Sequence, residues 1–425
     1  MSGKTVVRGE ISVPGDKSIS HRAAMFAPLA TGVSRVRGFL HAEDTLSSAG
    51  MMRALGARIE EVSPTELRIG GAGLRGLVEP ADVIDAGNSG TTIRIGSGIL
   101  AAQPFLSVVT GDRTLRRRPM GRVVEPLTRM GASIWGRDGN RLPPLCIRGG
   151  PLRGVRYEMP VASAQVKSSL LLAGLYAGSP VTVVEPARSR DHTERMLAAM
   201  GAKVSRSGNE VTVDPCERLD PLDMTVPGDL SSAAFFLVLA AVTPGSSLTL
   251  RGVGVNPFRT GGIEVLRRMG ADIRSTGNRI EGGEPVADLV VRGAALAAAT
   301  VTPEEVPGLI DEVPALCVAA AFAVGRTEIR GAEELRFKES DRIAAMVAAL
   351  SSLGISCGEY ADGLWVEGSA PVRPGVLCDS RGDHRIAMSL RVLGAAAGVS
   401  IEVKDAACID TSFPGFQSLL EGLIR

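Results

Sequence analysis

Two copies of a short Pro-Gly-Asp turn carry the residues best suited to hold an anion. The first copy is Val13-Pro-Gly-Asp-Lys-Ser-Ile-Ser-His-Arg22, and the second opens as Val226-Pro-Gly-Asp-Leu-Ser-Ser232. Pro-Gly favours a turn, and Asp followed by Ser favours a helix start, where free N–H groups and the helix dipole attract anions. Lys17, Ser18 and Arg22 equip the first copy to bind a phosphate or carboxylate. The second copy has Leu230 in place of the lysine, so we expect the same turn without the ligand.

Two more segments of the first half combine glycine, hydroxyl or amide groups with a cation. In Asp85-Ala-Gly-Asn-Ser-Gly-Thr-Thr-Ile-Arg94 the glycines allow close backbone approach, and Thr91 and Arg94 share a face of the helix that we expect there. A plain glycine-rich turn with a surface arginine is the alternative. Ser163-Ala-Gln-Val-Lys167 opens an apolar helix, and it either caps that helix or offers hydrogen bonds to a polyol.

The segment Arg113–Arg122 holds five arginines in ten residues. Such a segment is usually a solvated loop or a nucleic-acid surface. A net charge of +1 and the lack of interleaved aromatic residues argue against nucleic acid. Arg118 is therefore a candidate for binding a smaller anion.

The second half places acids and cations side by side in three segments. Ile310-Asp-Glu-Val-Pro314 puts two acids before an apolar helix, where compensation of the helix dipole is the simplest interpretation. Phe337-Lys-Glu-Ser-Asp-Arg342 would place Lys338 and Arg342 on one face if it is helical. Gly382-Asp-His-Arg-Ile386 brings a histidine between an acid and a base. The acids would be the proton-transfer groups. Both halves also carry cations that suit a pair of anionic substrates, namely Lys17, Arg22, Arg118, Lys338, Arg342 and Arg385.

Composition limits the classes of protein to which the chain can belong. Its 425 residues are 44% apolar and 22% charged, which is typical of a globular protein of two or three domains. Six widely separated cysteines form no zinc-binding spacing, so reduced cytoplasmic thiols are expected and a metal site is not. Met1-Ser-Gly-Lys is not followed by an apolar segment, and no apolar run reaches the ~18 residues of a membrane span. We expect a cytoplasmic protein that binds neither membrane nor nucleic acid.

A weak internal repeat runs along the chain. Helix ends of the form apolar-x-x-apolar-Gly recur with glycines at 56, 131, 201, 270 and 354, each followed by a short strand. Turns at Thr276–Ile280 and Tyr360–Trp365 are expected to close hairpins. With a partial copy at the C-terminal end, the pattern predicts six α/β units. We expect a three-repeat domain over 14–226, a second over 1–13 plus 227–425, and a hinge at 13–16 and 226–229.

In order along the chain, these segments resemble the family of 5-enolpyruvylshikimate-3-phosphate synthases. The resemblance rests on the Val13–Arg22 segment, Asn88-Ser-Gly-Thr-Thr-Ile-Arg94, Arg118-Pro-Met-Gly, Ser163-Ala-Gln, Lys338-Glu-Ser-Asp-Arg342 and Asp383-His-Arg385. Arg190-Asp-His-Thr-Glu194 together with Ser163–Lys167 is similar to the second class of the family, which includes glyphosate-tolerant bacterial forms.

The resemblance implies a fold, a reaction and a pathway. The fold would be a two-domain inverted, or inside-out, α/β barrel of the enolpyruvyl transferase type, with three repeats in each domain. The reaction would transfer the enolpyruvyl group of phosphoenolpyruvate to the 5-hydroxyl of shikimate 3-phosphate, a step of chorismate and aromatic amino acid biosynthesis by the shikimate pathway. The enzyme would be a monomeric transferase with no cofactor, and glyphosate would occupy its phosphoenolpyruvate site.

The resemblance also implies residue roles. Shikimate 3-phosphate would be held by Lys17, Ser18, Arg22, Ser163, Gln165, Arg190, Asp311 and Lys338. Phosphoenolpyruvate would be held by Lys17, Gly90, Arg118, Gln165, Arg342 and Arg385. Asp311 would be the base on the 5-hydroxyl, and Glu339, assisted by Lys17 and His384, would handle the methylene proton.

The sequence departs from the family pattern at two positions, and two other functions remain open. Thr411 precedes Phe-Pro where many members have a lysine, and Ala164 replaces a second serine. The related UDP-N-acetylglucosamine enolpyruvyl transferases usually carry a reactive cysteine before their Arg-Pro, which Thr110–Pro119 lacks. An inactive anion-binding protein would have lost the acids, whereas Asp311, Glu339 and His384 are all present.

Overall fold

The computed structural model describes residues 6–424 and divides the chain into two compact units. The N-terminal unit consists of Gly15–Val226 and Glu281–Glu284. Within the described residues, the C-terminal unit consists of residues 6–14, Pro227–Ile280 and residues 285–424. The expectation about Met1-Ser-Gly-Lys concerns residues that lie outside the described part.

The described residues contain 22 strands and 13 helices. The strands are β1 (Arg8–Ser12), β2 (Thr31–Arg37), β3 (Arg58–Ser63), β4 (Glu66–Ala72), β5 (Ile84–Asp85), β6 (Leu106–Thr110), β7 (Ser133–Gly136), β8 (Leu142–Arg148), β9 (Arg156–Glu158), β10 (Val181–Val184), β11 (Val204–Ser207), β12 (Glu210–Val213), β13 (Asp223–Thr225), β14 (Ser247–Gly254), β15 (Asp272–Glu281), β16 (Glu284–Arg292), β17 (Thr300–Val301), β18 (Arg326–Ile329), β19 (Cys357–Tyr360), β20 (Gly363–Glu367), β21 (Val376–Asp379) and β22 (Ile401–Lys404). The helices are α1 (Lys17–Phe26), α2 (Glu43–Ala54), α3 (Gly90–Leu100), α4 (Gly121–Met130), α5 (Arg137–Asn140), α6 (Ala164–Gly174), α7 (His192–Ala199), α8 (Leu230–Val242), α9 (Gly261–Arg268), α10 (Val313–Phe322), α11 (Arg342–Ser352), α12 (His384–Ala397) and α13 (Phe416–Leu423).

The sheets repeat one pattern. Five four-stranded sheets in residues 6–424 have the orders β13-β2-β4-β3, β5-β6-β8-β7, β9-β10-β12-β11, β1-β14-β16-β15 and β17-β18-β20-β19. In each of them the first pair of strands is parallel and the second pair is antiparallel. The sixth sheet keeps only the parallel pair β21-β22. Each complete repeat therefore consists of two βα steps followed by a hairpin.

Within each unit, one helix of every repeat lies at the centre and the sheets lie around it. Every residue of α8 is buried, and so are nearly all residues of α3, α6 and α10. Helices that are apolar all round belong in the interior. The strands bury alternate residues, as in β14 and β18, so one face of each sheet covers the helices. Each unit has its own apolar core, and the arrangement within each unit is inside-out. No helix in residues 6–424 is long and apolar enough to cross a membrane.

The two Pro-Gly-Asp turns lie where the chain passes from one unit to the other. The strand before each turn pairs in one unit, and the helix after the turn packs in the other. β1 pairs with β14 of the C-terminal unit, and α1 belongs to the N-terminal unit. β13 pairs with β2 of the N-terminal unit, and α8 belongs to the C-terminal unit.

The predicted glycine signals are confirmed, but one predicted hairpin turn is wrong. The five repeat glycines have φ values of 89°, 119°, 85°, 103° and 86°, which is the left-handed backbone expected after a helix. The turn Ala361–Asp362 joins β19 to β20 as predicted. Thr276–Ile280, in contrast, lies within β15, and the chain reverses at Gly282-Gly283, where both φ values are positive. Two adjacent glycines adopt that turn at lower cost than the Thr-Gly-Asn sequence.

Candidate active site

The first Pro-Gly-Asp turn positions a helix N-terminus with a lysine beside it. The Asp16 side chain caps α1 by accepting a hydrogen bond from the Ile19 amide at 2.9 Å. Gly15 is required because a Cβ there would lie 1.9 Å from the Gly38 carbonyl oxygen. Lys17, the first residue of the helix, pairs with the Asp44 carboxylate. The turn therefore presents backbone N–H groups and an ammonium group at one place, as an anion site requires.

Arg22 lies behind this turn, in the interior of the N-terminal unit. Its guanidinium donates to the Ser18 carbonyl at 2.9 Å, to Ser168 Oγ at 2.8 Å and to Thr193 Oγ1 at 2.7 Å. Burial lowers the pKa of Arg22 to about 10. Arg190 Nη1 lies 3.4 Å from Ser18 Oγ. The structure thus brings Ser18, Arg22 and Arg190 together, with Arg22 as the link between α1 and the two helices α6 and α7.

The second anion candidate forms at the start of α3. Ser89 caps the helix by accepting from the Thr92 amide, and Gly90 is its first residue. A Cβ at Gly90 would lie 2.8 Å from Arg94 Nη1 and 3.3 Å from Arg118 Nη1, so two guanidinium groups lie over this glycine. Arg118 is 7% exposed and donates to Asn88 Oδ1 at 2.6 Å. Arg113, Arg116 and Arg117 of the same loop are exposed.

The start of α6 lies against this cluster. Ser163 caps α6 by accepting from the Val166 amide at 3.4 Å. The Gln165 side chain accepts from Arg94 Nη1 at 2.8 Å and donates to Thr91 Oγ1 at 3.0 Å. α3 and α6 pack directly on one another, which explains how two distant motifs meet. Arg94 belongs to the cluster although the sequence-based set of binding residues omits it; its position four residues after Gly90 was the available signal.

In the C-terminal unit, three acids converge on one buried arginine. Arg342 is 2% exposed. Its Nε lies 2.8 Å from Asp383 Oδ2, its Nη1 lies 3.4 Å from Asp311 Oδ1, and its Nη2 pairs with the Glu339 carboxylate. Burial alone would lower the pKa of Arg342, but the three carboxylates outweigh it and raise that pKa above its usual value. Burial acts to raise the pKa of Asp383, but the charge and hydrogen bond of Arg342, together with the nearby His384, lower that pKa overall.

The start of α12 adds the predicted histidine and a second arginine. Asp383 caps the helix by accepting from the Arg385 amide at 2.9 Å, so His384 and Arg385 occupy the first turn. Arg385 Nη1 donates to the Asp311 backbone oxygen at 3.0 Å. Asp311, Glu339, Arg342, His384 and Arg385 are therefore gathered around the starts of α10, α11 and α12.

Lys338 and Arg342 would share a helical face only if their segment were one helix, and it is not. Glu333–Phe337 form a 3-10 helix, Lys338 follows it, and α11 begins only at Arg342. The Asp341 side chain caps α11 by accepting from the Ala344 amide at 3.0 Å, which separates the two helices. Lys338 is half-buried, with its Nζ 3.8 Å from Glu334.

The second Pro-Gly-Asp turn is filled by a side chain of the protein itself. Asp229 caps α8, and the Ser231 hydroxyl donates to the Glu312 carboxylate. Arg259 Nη2 lies 2.7 Å from Ser231 Oγ and 3.6 Å from Glu312 Oε1, and both charged residues are buried. An internal carboxylate thus lies at this helix start, where the sequence has Leu230 in place of the lysine.

The two departures from the family pattern are also located. Thr411 ends the 3-10 helix Ala406–Thr411, and its hydroxyl donates to the Cys408 carbonyl at 2.7 Å. Ala164 is the first residue of α6 and carries no hydroxyl.

The chain is similar to known proteins over nearly its whole length. The family model of EPSP synthase (3-phosphoshikimate 1-carboxyvinyltransferase) matches residues 1–420. The 3-phosphoshikimate 1-carboxyvinyltransferase of Geobacter sulfurreducens is 54% identical over 415 residues, covering 98% of this chain and 96% of that protein. The protein of the same name from Desulforudis audaxviator is 54% identical over 417 residues, covering 98% and 97%.

Solved structures show the same likeness. EPSP synthase from Acinetobacter baumannii has a TM-score of 0.88 and 44% identity, covering 99% of this chain and 97% of that one. The enolpyruvyl transferase NikO from Streptomyces tendae has a TM-score of 0.80 at 17% identity, which concerns the fold alone. The predicted inside-out α/β fold of the enolpyruvyl transferases is thereby confirmed. The match over nearly the whole length decides against the two other functions that the sequence left open. The chain belongs to the EPSP synthase family.

Proposed function

We propose that the two residue clusters act on one pair of substrates in the reaction of the EPSP synthase family. That reaction transfers the enolpyruvyl group of phosphoenolpyruvate to the 5-hydroxyl of shikimate 3-phosphate and releases phosphate, a step of aromatic amino acid biosynthesis. The 5-hydroxyl oxygen adds to C2 of phosphoenolpyruvate while C3 gains a proton. Phosphate and a C3 proton then leave, so that the sequence needs acids and bases but no redox group.

The N-terminal unit supplies most of the proposed site for shikimate 3-phosphate. Ser18 of α1 and Arg190 of the loop before α7 lie in contact. Arg22 joins α1 to α6, which begins with the hydroxyl and amide groups of Ser163 and Gln165. An arginine suits a phosphate, and hydroxyl and amide groups suit a polyol ring. The proposed set for this substrate is Lys17, Ser18, Arg22, Ser163, Gln165, Arg190, Asp311 and Lys338.

The residues proposed to bind phosphoenolpyruvate are mostly cations, some in the N-terminal unit and some in the C-terminal unit. Gly90 leaves space under Arg94 and Arg118, and Arg342 and Arg385 are held in place by carboxylates and a carbonyl oxygen. Guanidinium groups that are already fixed in place stabilise a phosphate and a carboxylate without further reorganisation. The proposed set is Lys17, Gly90, Arg118, Gln165, Arg342 and Arg385, and Arg94 is added to it on the geometry.

Proton transfer is assigned to Asp311, Glu339, Lys17 and His384. The observation that carries this assignment is the convergence of Asp311 and Glu339 on the buried Arg342, which holds both carboxylates against one guanidinium group. Asp311 would accept the 5-hydroxyl proton. Glu339 would exchange the methylene proton, with Lys17 and His384 assisting.

The substitution Asp311→Asn tests this assignment. The amide keeps the size and the polar contacts of the side chain but cannot accept the proton. We expect kcat to fall by about 10²–10⁴-fold while calorimetry still detects both substrates. A variant that keeps near wild-type turnover would remove Asp311 from this role.

We also propose that the protein works as a cytoplasmic monomer. The six cysteines are free thiols, which agrees with a reducing compartment. Each unit buries its own core, so neither needs a second copy in order to fold. Light scattering of the purified protein measures its mass in solution. The mass of a dimer would contradict the proposed monomer.

A further inference from the structure

Four charged side chains form a buried ion cluster in the N-terminal unit: Lys167, Glu185, Glu194 and Arg206. Lys167 Nζ lies 3.1 Å from Glu185 Oε2 and 2.8 Å from Glu194 Oε1. Arg206 Nη2 lies 3.0 and 2.9 Å from the same two oxygens. The side chains of Lys167 and Glu185 are completely buried, so the cluster is a balanced set of two cations and two carboxylates inside the protein.

The cluster holds the residue that precedes Arg190. Glu185 Oε1 accepts hydrogen bonds from both the amide and the hydroxyl of Ser189. Lys167 Nζ donates to the Ser189 carbonyl oxygen at 3.3 Å. The backbone on both sides of Ser189 is therefore fixed by the cluster, and Arg190 follows directly.

The same lysine belongs to the first turn of α6. It lies two residues after Gln165 and four residues after Ser163, which caps the helix. Glu194 belongs to α7 and Arg206 to β11. One ammonium group thus connects the start of α6 with the loop that joins β10 to α7.

Neither stability nor direct contact with a substrate accounts for this arrangement. A buried ion pair typically adds little stability over well-packed apolar residues, because desolvation offsets the attraction. An ammonium group has three donors, and the three donors of Lys167 match three acceptors: Glu185, Glu194 and the Ser189 carbonyl. With 0% exposure, Lys167 cannot touch a substrate. The cluster instead fixes the backbone at Ser189 relative to the start of α6.

We propose that Lys167 is a positioning residue for shikimate 3-phosphate. Through Glu185 and the Ser189 backbone, it sets the position of Arg190 relative to Ser163 and Gln165 at the start of α6. This inference rests on the proposed assignment of those residues to shikimate 3-phosphate.

The substitution Lys167→Met tests the proposal, because it keeps most of the aliphatic chain and removes the charge. Two carboxylates then share Arg206, so the buried site carries an uncompensated negative charge and the Ser189 carbonyl loses its donor. A displaced Arg190 loses much of a charge-assisted hydrogen bond to the phosphate, which lowers affinity roughly 10- to 100-fold. We expect KM for shikimate 3-phosphate to rise roughly 10- to 100-fold, with kcat and KM for phosphoenolpyruvate within about twofold of wild type.

A second variant separates positioning from general stability. Lys167→Met with Glu194→Gln restores the charge balance of the cluster, and we expect it to recover most of the loss in KM for shikimate 3-phosphate. The matched control is Lys203→Met, which removes a lysine of the same unit whose side chain is 83% exposed and pairs with Asp214. The control should leave all three constants unchanged. If Lys167→Met does not fold, Arg206→Gln at the half-buried edge of the cluster should raise the same KM by a smaller factor.

The outcomes distinguish the positioning role of Lys167 from the assignment of Arg190 to shikimate 3-phosphate. If Arg190→Gln leaves KM for shikimate 3-phosphate unchanged, the assignment of Arg190 to that substrate fails. If Arg190→Gln raises KM but Lys167→Met and Arg206→Gln do not, the positioning role of Lys167 is overturned. An equal rise in KM for both substrates would also overturn it, since it would indicate a general loss of structure.

Discussion

Replacing Gly90 by alanine changes the proposed phosphoenolpyruvate site by one methyl group. Gly90 begins α3 and is not among the glycines with positive φ, so alanine adds no backbone strain there. The new Cβ would lie 2.8 Å from Arg94 Nη1, whereas ordinary contact begins at 3.4 Å. The guanidinium end must therefore move away, and it also donates to Gln165 at 2.8 Å. Arg118 Nη1, 3.3 Å from the methyl, must yield slightly.

Arg94 and Arg118 are proposed to bind phosphoenolpyruvate, so moving them should raise its KM. Weakening one charge-assisted hydrogen bond costs about 1.5 kcal/mol, which corresponds to a roughly 10-fold higher KM for phosphoenolpyruvate. Stability should not fall, because alanine is at least as favourable as glycine in a helix. Glyphosate is slightly longer than phosphoenolpyruvate, so crowding should weaken the inhibitor more than the substrate. The second-class motifs around Arg190 and Ala164 lead us to expect partial tolerance in the wild type, and Gly90→Ala should increase it.

Steady-state kinetics with and without glyphosate provide the assay. The quantity to compare is the inhibition constant divided by the KM for phosphoenolpyruvate, in the wild type and in Gly90→Ala. Gly50→Ala is the matched control, because it adds a methyl group to a helix with no atom within 4 Å of the new Cβ. If the ratio does not rise in Gly90→Ala, Gly90 does not line the phosphoenolpyruvate site.

Two further predictions concern motion and pH. We predict that the units close about 13–16 and 226–229 when shikimate 3-phosphate and glyphosate bind; solution scattering should show a smaller radius of gyration, and an unchanged radius would count against the hinge. Burial lowers the pKa of His21 to about 3, while its Nδ1 hydrogen-bonds with Ser48 Oγ at 2.8 Å. Below pH ~6.5 the unfolded chain binds a proton at this histidine and the folded chain does not. The free energy of unfolding therefore keeps the full contribution of His21 above that pH and loses it as the pH falls, by about 2 kcal/mol at pH 5. His21→Asn should lack this component of the pH dependence in urea unfolding at pH 7 and pH 5, and identical losses in both proteins would contradict the assignment.

Local signals in the sequence predicted much of the fold. Gly131 and the other repeat glycines mark helix ends because only a residue that tolerates positive φ fits there, and that requirement is independent of the rest of the protein. Asp16 and Asp229 mark helix starts for a similar reason, since the cap is formed within three residues. The spacing of the Lys338–Arg342 segment also fits a single helix, but the cap formed by Asp341 starts α11 only at Arg342.

Tertiary contacts determined what the sequence could not predict. Arg22 was expected to bind a ligand, yet its burial among Ser168 and Thr193 depends on how α6 and α7 pack. The ion cluster draws its members from α6, the loop between β10 and α7, α7 itself and β11, with no regular spacing, so no periodic pattern could reveal it. At the second Pro-Gly-Asp turn, the Ser231 hydroxyl contacts Glu312, which lies 81 positions further along the chain, so this contact also depends on the tertiary fold.

The most direct test of the central claim is product analysis with purified protein. Phosphoenolpyruvate and shikimate 3-phosphate are supplied together and separately, phosphate is quantified, and the organic product is identified by mass spectrometry. We predict one phosphate for each 5-enolpyruvylshikimate 3-phosphate formed, no release when either substrate is omitted, and no product with UDP-N-acetylglucosamine as acceptor. Phosphate release without shikimate 3-phosphate, or an enolpyruvyl product on the other acceptor, would contradict the proposal that the two clusters carry out this reaction.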